Sequence, residues 1–351
     1  MTQRGVGMST DIAEQPAGFA RLLEPGSAGA IAAVAAEVAR RAPRSIVFVG
    51  RGTSDHAALY GAYLAEIRLG LPVASASPSA ITLYGARPDL TGTLVVGVSQ
   101  SGGSPDLAGV LNVARETGAL TLAVTNDPSS PLARAAELSI DVAAGHERAV
   151  AATKTYTAEL LALLMLIEGV RAGDGHLPAE ERAALEELPR LAEQTLADTS
   201  ATELAQRYRF ASSLVTTGRG YAYPTARETA LKLMETSYLP ALSFSGADLL
   251  HGPLAMADPD VPVLAVVGEG PGGRSMRDVV TRLSDRRADV VTIGAADVPG
   301  ASARLAVPAV DERYSPLLDI LPLQQLALAL SLARGEDPDA PRGLKKVTTT
   351  L

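Results

Sequence analysis

Gly50-Arg51-Gly52-Thr53-Ser54-Asp55 and Gly218-Arg219-Gly220-Tyr221-Ala222-Tyr223 decide the fold, because their first three residues recur at an interval of 168 (218 − 50 = 168). A three-residue coincidence alone would mean little. The same interval carries Leu71-Pro72 onto Leu239-Pro240, Thr93–Ser99 onto Val261–Val267, Thr121–Thr125 onto Asp289–Ile293 and Leu138–Val142 onto Ala306–Val310. With Ser45–Gly50 and Pro72–Ala76, the first-half segments make five short apolar, β-branched runs. They are separated by Gly, Ser and Asp turns and by helical stretches, the alternation that produces parallel sheets. Constant register across all five marks the duplication of one α/β unit. Each unit is expected to be a mostly parallel five-stranded sheet flanked by helices, since near-continuous apolar strands need burial on both faces. Ligands of such sheets sit beyond the carboxyl ends of the strands.

Composition agrees with that reading and removes several others. The 351 residues are 47% hydrophobic and 20% charged, which fits two folded domains and excludes a small stapled or metal-dependent one. There is no cysteine, so disulfides, thiolate nucleophiles and cysteine zinc sites are excluded, and a reducing cytoplasm is the expected location. The net charge of −8 comes with no block of Lys and Arg along one face, which argues against a nucleic-acid partner. Leu160–Ile167 and Leu321–Leu332 are the longest apolar runs, short of the roughly 20 residues a membrane span needs, and no charged-then-apolar leader opens the chain. The organisation reads as an N-terminal arm over 1–27, its first 16 or so residues mobile, then a first unit over 28–172 opened by a helix from Ala28 to Arg41. A helical connector over 173–202, a second unit over 203–335 and a tail over 336–351 complete it.

The two units are chemically unequal. In the first, the loop after strand one is Gly52-Thr53-Ser54-Asp55, and the loop after strand three runs from Ser99 through Gln100, Ser101, Gly102, Gly103 and Ser104 to Pro105-Asp106. Hydroxyls, glycines and helix N-termini at neighbouring strand ends suit a phosphate without demanding Lys or Arg. Adding 168 turns Thr53, Ser54, Ser99, Gln100, Ser101 and Ser104 into Tyr221, Ala222, Val267, Gly268, Glu269 and Gly272. A carboxylate at Glu269 would repel a dianion, so only the first unit is expected to hold one.

The second unit has its own distinctive helix. Glu228, Lys232 and Glu235 are spaced i, i+4, i+7 and share one face of a helix that opens just after Gly218-Arg219-Gly220. Such a row is more often a solvated salt-bridge face than proton-transfer machinery, and its nearness to a strand's carboxyl end is the reason to doubt the first reading. His251, in Asp248-Leu249-Leu250-His251-Gly252-Pro253, is a candidate acid/base in a polar turn. His56 lies close enough to the proposed anion loop to lend it weak positive charge, whereas His146 and His176 read as ordinary loop residues. No histidine has metal-ligand spacing with acidic partners. On pattern alone the tail would fray.

These motifs, with Ala152-Thr153-Lys154, Tyr223-Pro224, Glu228 through Tyr238 and the Pro341-Arg342 to Lys346 tail, resemble the sugar isomerase (SIS) family of phosphosugar-binding proteins. Within it they are most similar to the isomerase half of glutamine:fructose-6-phosphate amidotransferase and to the stand-alone glucosamine-6-phosphate deaminases. The likeness spans nearly the whole chain. It implies that Thr53, Ser54, Ser99, Gln100, Ser101 and Ser104 bind a sugar phosphate, and that Glu235 moves a proton between C1 and C2 with Lys232 and Glu228 beside it. His251 resembles the ring-opening histidine that reaches a neighbouring subunit's site, which implies a homodimer, and Lys346 resembles the tail lysine that meets the open-chain carbonyl.

Aldose–ketose chemistry of this kind needs an acid/base and a carbonyl activator, and no metal or redox cofactor. Without a cysteine the chain is not expected to draw ammonia from glutamine. Asp248 stands where the family has Glu three residues before the histidine. Ser104-Pro105-Asp106 and Leu344-Lys345-Lys346-Val347-Thr348 look like the deaminase branch. The expected activity is conversion of glucosamine 6-phosphate to fructose 6-phosphate and ammonia, with a phosphorylated hexose or hexosamine as the small-molecule partner. The alternatives are an isomerising aminotransferase lacking its glutaminase domain, a fructosamine-6-phosphate deglycase, or a non-catalytic phosphosugar sensor.

Overall fold

Every apolar run of the first half becomes a strand: β1 (Ser45–Val49), β2 (Val73–Ser75), β3 (Thr93–Ser99), β4 (Leu120–Thr125) and β5 (Leu138–Asp141). In the computed structural model, which describes residues 4–346, these pair in parallel in the order β2-β1-β3-β4-β5. All seven residues of β3 are buried, as a central strand covered on both faces requires. The second half repeats the arrangement with β6 (Leu214–Gly218), β7 (Ala241–Ser245), β8 (Val263–Val266), β9 (Val290–Gly294) and β10 (Ala303–Ala306). Their order is β10-β9-β8-β6-β7, again wholly parallel and the same order read from the other edge.

Two expectations need correction. The fifth strand of the second unit lies at Ala303–Ala306 rather than 306–310, so the repeat interval has shortened to 303 − 138 = 165 by that point. The helix expected from Ala28 starts earlier, at Pro25, where proline's fixed φ suits the first helical turn.

In both sheets the order reverses between the first and third strands of the unit, β1 and β3 or β6 and β8. The crevice outside the carboxyl ends of that pair is where a doubly wound sheet receives ligands.

The chain forms two units whose segments alternate along the sequence. The N-terminal unit comprises Ala17–Glu147 and Lys154–Glu187, with Lys345 and Lys346; the C-terminal unit comprises residues 4–16, Arg148–Thr153 and Leu188–Leu344. The connector over 173–202 is helical, as Ala179–Glu186 and Leu188–Leu196, with a further helix at Ser200–Tyr208. Within the C-terminal unit, the stretch expected to be mobile at the start of the chain is instead a helix, Val6–Ala13, with Met8 and Ile12 in the core. Its first N–H groups are capped from far along the sequence, Asp339 accepting from Gly7 at 2.8 Å and from Met8 at 2.7 Å. Asp11, fully buried, accepts from the backbone N–H groups of Arg148 and Ala149 at 2.7 and 2.9 Å and so fixes the 148–153 loop.

The Ser315–Ala333 helix is long and apolar enough to cross a membrane by composition, but 72% of its apolar window is buried. It is a core helix of the C-terminal unit, and it packs on the Tyr223–Ser237 helix through the Ser331 hydroxyl, which donates to the Thr236 carbonyl at 2.7 Å.

Asp339→Ala removes a charged acceptor from two helix N–H groups and is expected to cost about 1–3 kcal/mol. Urea unfolding measures it, and an unchanged midpoint would show that the clasp contributes nothing to stability.

Candidate active site

One group of candidate residues lies at the reversal of strand order in the N-terminal unit. β1 leads through Gly50-Arg51-Gly52 into the Thr53–Leu64 helix, and β3 leads through Gln100 to Ser104 into the Pro105–Glu116 helix. Helices entered in this way carry their unpaired first N–H groups at the carboxyl edge of the sheet. Ser99 accepts from the Gly102 N–H and Ser101 from the Gly103 N–H, both at 3.2 Å. A hydroxyl that accepts retains its own O–H to donate. Ser104 sits at the N-cap of the Pro105–Glu116 helix without making a side-chain cap bond. Gln100 is held by its carbonyl, which accepts from the Asn126 N–H at 3.1 Å and the Thr125 hydroxyl at 3.4 Å. Gly102 has φ 58°, and a Cβ there would come within 2.1 Å of the Ser130 hydroxyl, so this turn requires glycine.

Ser54 is placed differently from the others. Its hydroxyl donates at 2.8 Å to Oε1 of Glu159, a fully buried carboxylate on the Lys154–Ala172 helix. With that proton committed inward, Ser54 offers an anion its backbone N–H, next to Thr53 at the first helical position. His56 is buried one turn further along the same helix.

A pair that sequence reasoning missed ties the two loops together. Arg51 Nε donates to Asp106 Oδ2 at 3.0 Å and its NH2 lies 2.9 Å from the same oxygen, with Asp106 buried and the arginine half-exposed. The guanidinium neutralises a carboxylate in the first turn of the helix, which would otherwise oppose an anion. The residues are 55 apart, and nothing in a single sequence signals such a pairing.

A second group lies in the C-terminal unit on the Tyr223–Ser237 helix. Glu228 and Lys232 are buried, with side-chain exposures of 0% and 2%, whereas Glu235 retains 24%. Lys232 Nζ stands 3.3 Å from Glu228 Oε1 and donates to Glu235 Oε2 at 2.6 Å. The solvated-face alternative is therefore excluded: this is a buried carboxylate–ammonium–carboxylate row that opens at Glu235. Burial by itself would depress the lysine, but the flanking carboxylates outweigh it and hold the ammonium above the ordinary lysine range. The positional argument for the row needs correction as well. The helix starts beside the end of β6, but Glu235 lies twelve residues beyond Tyr223, about 18 Å along the axis, in the last turn. Its chemistry is therefore displaced from the crevice of its own sheet.

Tyr238 ends that helix in the left-handed region at φ 51°. The Arg342 guanidinium lies 3.8 Å from the centre of its ring, and the Arg342 N–H donates to its hydroxyl at 2.6 Å. The tail is thus anchored just past Glu235 and does not fray there; Lys346 follows four residues later, and Val347 and Thr348 lie outside the described residues. His251 terminates the Gly246–Leu250 helix, exposed, its N–H donating to the Asp248 carbonyl at 3.0 Å. The Asp248 carboxylate accepts from the Ser245 hydroxyl at 2.7 Å.

In the C-terminal unit a second carboxylate besides Glu269 reaches the counterpart of the hydroxyl-rich loop. Glu269 is exposed, and Glu312, from the loop after β10, accepts from the Gly273 N–H at 2.9 Å. Because the repeat interval has already slipped at β10, register could not find this residue. Burial pushes the Glu312 carboxyl up, against the lowering effect of the Gly273 and Gly272 N–H groups. Nearby Asp319, fully buried with Oδ2 lacking a partner, is pushed up to about 7 by desolvation, opposed by the Ser315 hydroxyl and reinforced by the Glu312 charge.

Two sheets of identical strand order correspond to a known architecture: the model of the SIS domain matches residues 41–169 and again 208–334. The chain belongs to the SIS family. Among curated relatives, the isomerising glutamine–fructose-6-phosphate aminotransferase of Gloeobacter violaceus is 37% identical over 87% of this chain and 51% of its own length. The chain thus spans about half the length of such relatives. Of solved structures, a putative phosphosugar isomerase from Silicibacter pomeroyi superposes with a TM-score of 0.86 at 36% identity, covering 95% of this chain and 99% of that one. The C-terminal domain of glucosamine-fructose-6-phosphate aminotransferase from Francisella tularensis gives 0.85 at 25% identity, covering 95% and 98%.

Lys232→Met leaves the buried Glu228 and the partly exposed Glu235 without the cation between them and is expected to cost about 3–5 kcal/mol in urea unfolding; a loss under about 1 kcal/mol would show that water already screens the row. Asp319 gives a pH signature. Between its ordinary value of 3.8 and about 7, the folded chain holds a proton that the unfolded chain has released, so this group's stabilising effect is lost as pH rises. Asp319→Asn should match the parent near pH 4 and exceed it by on the order of 1 kcal/mol per pH unit up to about pH 7. A difference that stays constant across that range would reject the assignment.

Proposed function

We propose that this SIS protein interconverts glucosamine 6-phosphate with fructose 6-phosphate and ammonia, as a deaminase and isomerase. The observation that carries the reading is the buried Glu228–Lys232–Glu235 row, in which Glu235 alone keeps access to solvent while a lysine fixes its carboxylate. It is supported by the hydroxyl loops of the other unit and by relatives whose names specify fructose 6-phosphate.

In this reading Ser99, Ser101 and Ser104, the Thr53 hydroxyl, the Gln100 amide and the N–H groups that open the two helices hold the phosphate dianion. His251, supplied by a second copy of the chain, opens the ring by moving a proton between the C1 hydroxyl and the ring oxygen. Lys346 polarises the resulting C1 carbonyl. Glu235 removes the C2 proton. The C–H electrons form a C1–C2 double bond as the C1 oxygen takes up a proton, and the same carboxylic acid then delivers its proton to C1, leaving an imine at C2. Water adds to that carbon, the C–N bond breaks and ammonia leaves, so one water is consumed for each ammonia released. Lys232 and Glu228 are positioning residues that hold Glu235 in one orientation.

The aminotransferase names of the curated relatives favour a second reading, in which the same steps run from fructose 6-phosphate and ammonia towards the amino sugar. An assay in both directions separates the two. Ammonia from glucosamine 6-phosphate at a useful rate supports the first; product only from fructose 6-phosphate with ammonium supports the second. Release of an amine only from fructosamine 6-phosphates identifies a deglycase, and binding without turnover of any of these compounds identifies a sensor.

Glu235→Gln is expected to lower kcat by roughly 10²–10⁴-fold and to abolish C1/C2 hydrogen exchange while phosphosugar binding persists. Exchange at the parent rate would remove Glu235 from this role. Ser101→Ala should weaken phosphosugar binding roughly tenfold to a hundredfold through loss of a hydrogen bond to a charged group, with little effect on the affinity for unphosphorylated fructose. Equal losses for both sugars would move the phosphate elsewhere.

A further inference from the structure

The loop after β8, Val267-Gly268-Glu269-Gly270-Pro271-Gly272-Gly273, feeds the 15-residue Pro271–Asp285 helix at the reversal of strand order in the C-terminal unit. It has Val267, Glu269 and Gly272 where the N-terminal unit has Ser99, Ser101 and Ser104. What occupies it is the carboxylate of Glu312. Oε1 accepts from the Gly273 N–H at 2.9 Å, with the Gly272 N–H as a second backbone donor.

The glycines make room for that carboxylate: a Cβ on Gly270 would lie 2.0 Å from Oε2, and one on Gly272 2.8 Å from Oε1. The surrounding frame is also repeated. Arg219, the counterpart of Arg51 (219 − 51 = 168), reaches the same helix and donates to the Ser275 hydroxyl at 2.6 Å. Arg274 faces the carboxylate favourably, whereas Asp311 opposes it, and its charge is also felt by the buried Asp319, whose Oδ2 has no partner.

We propose that the C-terminal unit retains a second oxyanion nest, closed by its own Glu312 carboxylate, which opens to inorganic phosphate when that side chain is removed. Two N–H groups at a helix start bind a carboxylate or a tetrahedral oxyanion by the same chemistry. A tethered carboxylate occupies the nest at an effective concentration that free phosphate cannot match, and its charge repels a dianion. The inference does not depend on which sugar phosphate the N-terminal unit takes.

The test uses the whole chain labelled with ¹⁵N-glycine. In the parent, the Gly272 and Gly273 amide resonances should move with pH as Glu312 titrates and should ignore inorganic phosphate. In Glu312→Ala they should respond saturably to inorganic phosphate, with an affinity at least tenfold above the parent's at this site, and crystals grown in phosphate should show the ion on these two N–H groups. A folded Glu312→Ala protein whose glycine amides do not respond overturns the proposal, as does phosphate seen only at crystal concentration. So does a parent in which phosphate moves these amides with Glu312 in place. Should Glu312→Ala fail to fold, Glu312→Gln decides: its Gly273 amide must lose the acid-range shift seen in the parent, and retention of that shift rejects the assignment.

Discussion

Wherever a parallel strand turns into a helix, the first turn of that helix has N–H groups that the helix itself cannot satisfy, and a doubly wound sheet gathers them at the reversal of its strand order. Both sheets of this protein face that requirement at the same topological position, and they meet it in opposite ways. In the N-terminal unit the loops are built of Ser99, Ser101 and Ser104; the oxygens of Ser99 and Ser101 shape the turn while their protons remain available, and Arg51 offsets the charge of Asp106. In the C-terminal unit the requirement is met internally by Glu312. Duplication supplied two equivalent crevices, and they now differ both in the hydroxyls that the second has lost and in the Glu312 carboxylate that it has gained.

Closing the second crevice fits the placement of the Glu228–Lys232–Glu235 row. Glu235 stands in the last turn of its helix, away from the edge where its own sheet would receive a ligand. What it needs from its unit is rigidity. Lys232 provides this, since an ammonium with 2% side-chain exposure must keep both carboxylates close or bear the cost of an unpaired buried charge. Tyr238, held in a left-handed conformation under the Arg342 guanidinium, fixes the end of the same helix and the departure of the tail.

The fold was legible because it rests on local patterns repeated twice: β-branched runs, the Gly-Arg-Gly turns and a constant interval. What escaped the sequence was non-local. The Val6–Ala13 helix looked like a loose arm because the aspartate that caps it lies more than 300 residues away. The interval failed at β10, and with it the means of finding Glu312; register pointed instead to Glu269, which is exposed. Glu228, Lys232 and Glu235 were found by their spacing, but spacing is silent on burial, and only packing against the Ser315–Ala333 helix shows that they form an interior row. Ser54 was recognised as a loop hydroxyl, whereas its proton is turned inward to Glu159.

The clasp between Gly7, Met8 and Asp339 joins the opening helix to the segment from which Arg342 and then Lys346 depart. Two stretches 332 residues apart are thereby held together without a covalent link. Residues 7–8 and Asp339 form one patch of the C-terminal unit, so a substitution on either side of it is felt by the other.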